Sequence, residues 1–141
     1  HFALYRDVTS ITPNHHEAAA ATGIRAADDP ALERTGAALL EMLASDSVLI
    51  TWGERGMVLF GADGSVERIP TRAREVYDVA GAGDTVVATF AAALAAGGSH
   101  LASAQLANFA ASVVVAKVGT ATATPEEIAR AIELFNEGRP A

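Results

Sequence analysis

The chain has 141 residues, a formal net charge of −7, 50% hydrophobic and 19% charged residues, and no cysteine. That length suits about one domain, and the composition excludes wholesale disorder, a disulfide scaffold, thiolate metal sites and a cysteine nucleophile. There is no basic stripe to neutralise nucleic-acid phosphates, and no apolar run reaches membrane-spanning length. Alanine supplies 32 of the residues, so the core is thinner than the hydrophobic share suggests. The opening His1-Phe2-Ala3-Leu4 lacks the basic segment and apolar run of a signal peptide. The expectation is a soluble, cytoplasmic chain cut from something longer.

Residues 8–12 predict a short strand ending at Pro13, and Glu17 opens an alanine-rich helix that stops at Gly23. Asp28, Asp29 and Pro30 mark a second helix start, with an Asp as N-cap and Pro at the first helical position. Leu32, Leu39, Leu40 and Leu43 supply its apolar stripe. Ser47–Thr51 is a continuous apolar run of the buried-strand kind. After the turn Trp52–Gly56, residues 57–60 and 66–69 predict a hairpin across Asp63-Gly64. A further strand is expected over 75–79. Helices follow over about 84–96, 101–118 and 125–136, the last opened by the capping box Thr124-Pro125-Glu126-Glu127. No repeat or linker divides the chain, so the expectation is a single α/β domain with a mixed sheet.

The chemistry concentrates at Asp78-Val-Ala-Gly-Ala-Gly-Asp84-Thr85. Two glycines alternating with alanine before a helix let backbone N–H groups approach an anion, and the helix N-terminus adds positive partial charge. No Lys-Ser/Thr follows, and residue 86 is Val86, so the turn is neither a P-loop nor a dinucleotide fingerprint. Asp84 at its mouth is placed to accept a proton from a hydroxyl attacking a phosphoryl group. Taken alone, Gly81-Ala82-Gly83-Asp84 also fits an ordinary tight turn with an acidic first helical turn.

The longer string resembles the C-terminal signature of the PfkB/ribokinase family of carbohydrate kinases. Pro13-Asn14-His15-His16-Glu17 is similar to that family's Asn-x-x-Glu segment, and Thr51-Trp52-Gly53-Glu54-Arg55-Gly56 to its Thr-x-Gly-x-x-Gly segment. Ile69-Pro70-Thr71, Glu75–Val79, Gly81–Val86, Ala107-Asn108 and Val113–Thr120 resemble most closely the D-glycero-β-D-manno-heptose 7-phosphate kinases within it. The resemblance implies a ribokinase-like three-layer α/β/α sandwich, of which this chain is the C-terminal half with part of the central mixed sheet. It implies ATP and Mg²⁺ as cofactors and transfer of the γ-phosphoryl of ATP to a sugar hydroxyl, the anomeric one of a heptose 7-phosphate. Asp84 is then the base, and Gly81, Ala82 and Gly83 form the anion hole. Asn14 and Glu17 organise Mg²⁺ and the nucleotide phosphates, Glu17 through water. Thr51, Gly53 and Gly56 follow the nucleotide, and Asn108 and Gly119-Thr120 border the adenine. Thr89 departs from the small residue of the general signature.

Family members are much longer than this chain, so the N-terminal half, with most sugar contacts, is expected to be missing. The alternatives are a kinase of another sugar or nucleoside, or a non-catalytic nucleotide-binding module that needs a partner half. Other residues read blandly. His15 and His16 are expected to be solvent-facing loop residues, Trp52 a packing residue or loop lid, and Asp28 and Asp29 caps. Arg72, Arg74 and Glu75 are expected on a solvated face. The apolar helix at 101–118 is expected to be core, with a homodimer face as the alternative.

Overall fold

The computed structural model describes residues 2–25, 27–73 and 76–138. Their contacts gather the chain into two compact units, 1–70 and 71–141.

The first unit holds strands β1 (Ser10–Ile11), β2 (Ser47–Thr51), β3 (Met57–Gly61) and β4 (Val66–Ile69), with helices α1 (His15–Thr22) and α2 (Asp29–Leu43). The strands lie in sequence order; β1 and β2 are parallel, and β2, β3 and β4 antiparallel. β1 is shorter than the expected 8–12 run, because only Ser10 and Ile11 find partners, on Ser47 and Val48. Val48, Ile50, Val58 and Phe60 meet Leu32, Leu39 and Ala18 of the helices in one core. Leu49 and Leu59, paired across β2 and β3, are buried on the opposite face. A strand buried on both faces must be apolar throughout, which is why Ser47–Thr51 carries no alternation. Gly36 completes the fit: a Cβ there would come within 2.5 Å of the Phe60 ring.

Asp28 is the N-cap of α2, its carboxylate accepting from Ala31 N–H at 2.8 Å, so Pro30 takes the second helical position and not the first. Asp29 instead pairs with Arg68 of β4 at 3.3 Å, beside a 2.8 Å contact from Arg68 to Glu33.

The second unit is helical: α3 (Ala82–Ala95), α4 (His100–Val115) and α5 (Pro125–Asn136). α3 ends with Gly97 N–H on Leu94 C=O and Gly98 N–H on Ala93 C=O. That double bond pattern over a left-handed glycine (Gly97, φ 89°) is a Schellman stop. Gly98 has no room for a side chain, since a Cβ would lie 2.9 Å from the Ala93 carbonyl oxygen. Ser99 caps α4 through Ala102 N–H, and α4 returns along α3 with Val86 and Phe90 buried. α4 stops at Val115, three residues before the expected end, and Val118 is exposed. Ser103, Ala104, Ala107, Asn108 and Ala110 are buried along it. The capping box at Thr124 is formed in both directions.

The strand expected at 75–79 is absent from residues 76–79; Glu75 lies outside the described residues. Tyr77 N–H donates to the Val115 carbonyl at 2.8 Å, and Asp78 N–H to the same oxygen at 3.3 Å. Their donors therefore serve the end of α4 and not a sheet ladder. Arg72 is not on a purely solvated face either: its guanidinium lies 3.9 Å from the Phe135 ring centroid and 5.7 Å from that of Phe109. Arg74 falls outside the described residues.

Candidate functional site

In the first unit the assigned residues cluster where β1 and β2 end. This is the carboxyl edge of the parallel pair, the usual place for ligands on such sheets. Asn14 bridges to Thr51, and Thr51 N–H donates to the Pro13 carbonyl at 3.0 Å, so the two segments run side by side. Asn14 Oδ1 accepts from His16 N–H and Glu17 N–H at 2.9 Å each, while Glu17 Oε2 accepts from Asn14 N–H at 2.8 Å. This is a reciprocal capping box that anchors α1. The Asn-x-x-Glu spacing is itself the sequence signal for it. Beyond Thr51 the chain turns through Gly53–Arg55, closed by Trp52 N–H on the Gly56 carbonyl at 2.8 Å. Gly53 (φ 57°) and Gly56 (φ 86°) both take left-handed backbone that this turn requires.

The capping box decides what this edge can hold. Asn14 Oδ1 is already committed to two N–H groups, which leaves it poorly placed as a metal ligand. Glu17 keeps Oε1 without a hydrogen-bond partner among the described residues, on an exposed side chain. Among the described residues no three His, Asp or Glu side chains gather around one point. A hard cation such as Mg²⁺, which binds through one or two carboxylates plus phosphate oxygens and water, fits Glu17 on those terms.

His15 and His16 are not loop residues. They form the first turn of α1, and their rings stack at 3.9 Å between centroids with a 38° tilt. His15 has a pKa lowered by burial and then by His16; a hydrogen bond with the Thr51 backbone opposes this, and Arg55 adds a further lowering. Trp52 is 8% exposed and belongs to the core, with the Arg55 guanidinium 4.5 Å from its ring centroid. A cavity of about 490 Å³ opens here, lined among others by His15, His16, Arg25, Trp52, Glu54 and Arg55. Of these, Arg25, Glu54 and Arg55 carry no motif that would single them out from sequence.

In the second unit, Gly81 is the N-cap of α3 with φ 80°, and Asp84 sits exposed in the first helical turn. Asp78 Oδ1 accepts from Ala80 N–H at 2.9 Å and sets the approach to the turn. Thr85 donates both N–H (3.0 Å) and Oγ1 (3.1 Å) to the Gly81 carbonyl. Ala82 N–H is turned onto the Val79 carbonyl at 3.2 Å. The N–H groups of Gly81, Gly83 and Asp84 have no acceptor among the described residues. The donors open to an anion are thus these three. The Asp84 carboxylate likewise makes no hydrogen bond or ion pair among the described residues, so both its oxygens can accept a proton.

Thr120 reaches this turn, its methyl 3.2 Å from where a Gly81 Cβ would stand, so the 119–120 segment packs on the glycine turn. Gly119 takes φ 77° to bring it there. Asn108 is 3% exposed inside α4, away from any open surface.

The sequence matches the pfkB family carbohydrate kinase profile over residues 3–127. It is 47% identical over 133 residues to the bifunctional protein HldE of Trichlorobacter lovleyi, covering 94% of this chain and 27% of that protein. It is 52% identical over 127 residues to the bifunctional protein HldE of Geobacter sulfurreducens, covering 90% and 26%. The chain therefore spans about a quarter of the length of the curated relatives it matches. Among solved structures, Arabidopsis thaliana ribokinase complexed with ribose and ATP superposes with a TM-score of 0.85 at 26% identity. That match covers 92% of this chain and 42% of the ribokinase. Escherichia coli phosphofructokinase-2, in complex with potassium, gives 0.85 at 14% identity over 95% of this chain and 43% of its own, a likeness of fold. The fold is accordingly the ribokinase-like α/β class, represented here by a part of it.

Proposed function

We propose that this chain, which belongs to the pfkB family of carbohydrate kinases, carries the phosphoryl-transfer centre of an ATP-dependent sugar kinase. The observation that carries the reading is the α3 turn: at a helix N-terminus, three N–H groups and one carboxylate have no partner among the described residues. In the reaction, a sugar hydroxyl oxygen attacks the γ-phosphorus of ATP, Asp84 takes the hydroxyl proton, and ADP leaves. The N–H groups of Gly81, Gly83 and Asp84 donate to the transferring phosphoryl oxygens and stabilise the charge there. A loose transition state asks little of the base, because the proton can leave late.

Thr51, Gly53 and Gly56 line the nucleotide where β2 ends, and Gly119, at φ 77°, lets Thr120 pack on Gly81. Asn14 acts through the fold, by capping α1 and holding Glu17. Glu17 would hold Mg²⁺ on the protein side, and the ion would supply positive charge to neutralise the ATP phosphates. Asn108 contributes by packing within α4.

The proposed acceptor is D-glycero-β-D-manno-heptose 7-phosphate, phosphorylated at the anomeric oxygen; the motif resemblance and the identity to the HldE proteins support it. The test is ³¹P NMR of the whole natural protein with ATP and a panel of sugars and sugar phosphates. A new anomeric phosphate formed from the heptose 7-phosphate alone is the expected result. Turnover of ribose or fructose 6-phosphate in its place moves the assignment to another acceptor, and no transfer to any sugar overturns the kinase reading.

A further inference from the structure

The segment between α4 and α5, residues 116–124, touches the glycine turn through Thr120, yet neither burial nor a backbone ladder holds it. None of its residues is buried, and Val118 is 87% exposed. Among the described residues, 118–123 make no backbone–backbone hydrogen bond. A stretch with few buried contacts and no ladder opens at little cost. Thr120 nevertheless keeps its methyl on Gly81, and Gly119 keeps its left-handed backbone.

Lys117 supplies the tie. Its N–H donates to the Val114 carbonyl at 3.0 Å, which fixes its backbone to the end of α4. Its ammonium then crosses the neck of the segment, donating to the Thr122 carbonyl at 2.8 Å and to Glu127 Oε1 at 2.7 Å. Glu127 Oε2 accepts from Thr124 N–H at 2.9 Å, and Glu127 N–H donates to Thr124 Oγ1 at 3.3 Å. One cation therefore joins the end of α4, the far side of the loop and the capping box of α5. Only residues 118–121 stand between Lys117 and Thr122, so fixing these two ends fixes where Thr120 stands. The Lys117 and Glu127 side chains are 35% and 40% exposed, and a pair so screened by water adds little to global stability. Its directed, charge-assisted bonds set geometry instead.

We propose that Lys117 is a positioning residue for the α3 turn: by clasping the 117–122 loop it holds Thr120 against Gly81, and so aims the N–H groups of Gly81, Gly83 and Asp84. Gly81 sets the direction of these donors, because it is the last non-helical residue before α3. The consequence for catalysis rests on the proposed phosphoryl transfer; the link from Lys117 to the turn does not.

The test uses the whole natural protein. Lys117→Met keeps the apolar stem and removes the cation. It should lower kcat about ten- to a hundredfold through a displaced turn, with KM for ATP within a few-fold of wild type. Lys117→Arg can still donate to both oxygens and should recover most of that loss. Thr120→Ser removes the methyl that meets Gly81 and should also lower kcat. The Lys117→Met/Thr120→Ser double variant should fall no further than the slower single variant, because both act along one path. Hydrogen exchange read by mass spectrometry tests the link without any turnover. Ala82 N–H and Thr85 N–H, bonded to the Val79 and Gly81 carbonyls, should exchange severalfold faster in Lys117→Met, while peptides from α2 stay unchanged. Wild-type kcat in Lys117→Met, additive losses in the double variant, or unchanged exchange at the turn overturns the proposal. Absence of transfer in the wild type as well strikes the kinase reading alone, and the exchange rates then decide whether Lys117 holds the turn.

Discussion

The Thr120 methyl stands 3.2 Å from the point where a Cβ on Gly81 would be, and Gly81 itself holds φ at 80°. The glycine that opens α3 is therefore confined twice, by its left-handed backbone and by a neighbour. Gly81→Ala should cost roughly 1–2 kcal/mol from the backbone alone, before Thr120 moves. Gly83, by contrast, lies inside the helix with nothing within 4 Å of its Cβ position. Gly83→Ala should be neutral or stabilise by about 0.5–1 kcal/mol. Denaturant melts of both variants check this, and equal losses would remove the special role of Gly81.

The box between Asn14 and Glu17 allows cap and charge to be pulled apart. Asn14→Ala should lower stability by about 1 kcal/mol through the lost α1 cap. Glu17→Gln keeps an oxygen for Asn14 N–H, so its stability should change little. Its missing charge should raise the Mg²⁺ concentration needed for half-maximal transfer. A Glu17→Gln enzyme with unchanged Mg²⁺ dependence would leave Glu17 as a cap alone.

Glu127 gives a pH prediction. Lys117 Nζ donates to its carboxylate at 2.7 Å and Thr124 N–H at 2.9 Å, and these bonds hold its pKa below the ordinary 4.5. A carboxylate whose folded pKa is depressed adds stability that is present above the unfolded value and lost as pH falls through the folded one. Lys117→Met should move the Glu127 midpoint up toward 4.5 in a carboxyl ¹³C titration. It should also shrink the loss of stability on acidification below that pH. An unmoved midpoint would mean that the Lys117 contact does not hold in solution.

Much of the fold could be read locally. The unbroken apolar run Ser47–Thr51, the Asp63-Gly64 turn and the Thr124 capping box each write their conformation in a few adjacent residues, and each formed. The glycine turn before α3 belongs with them, because alternating glycines before an apolar helix leave few other options. What failed was non-local. Residues 76–79 have strand-forming side chains, but Tyr77 and Asp78 spend their N–H groups on Val115, which no local pattern announces. Arg72 reads as solvated until α4 and α5 bring Phe109 and Phe135 under it. His15 and His16 read as loop residues, yet they form the first turn of α1, because the Asn14 cap starts the helix ahead of Glu17. The cavity they share with Arg25 and Arg55 draws on three separated segments, so its charge could not be summed from any one of them.

Asp84 is the centre of the functional account, and one substitution tests it. In the whole natural protein, Asp84→Asn keeps the size of the side chain and removes its ability to take a proton. The account predicts a fall in kcat of about 10²–10⁴-fold with ATP affinity within a few-fold of wild type. A kcat within tenfold of wild type would contradict Asp84 as the base.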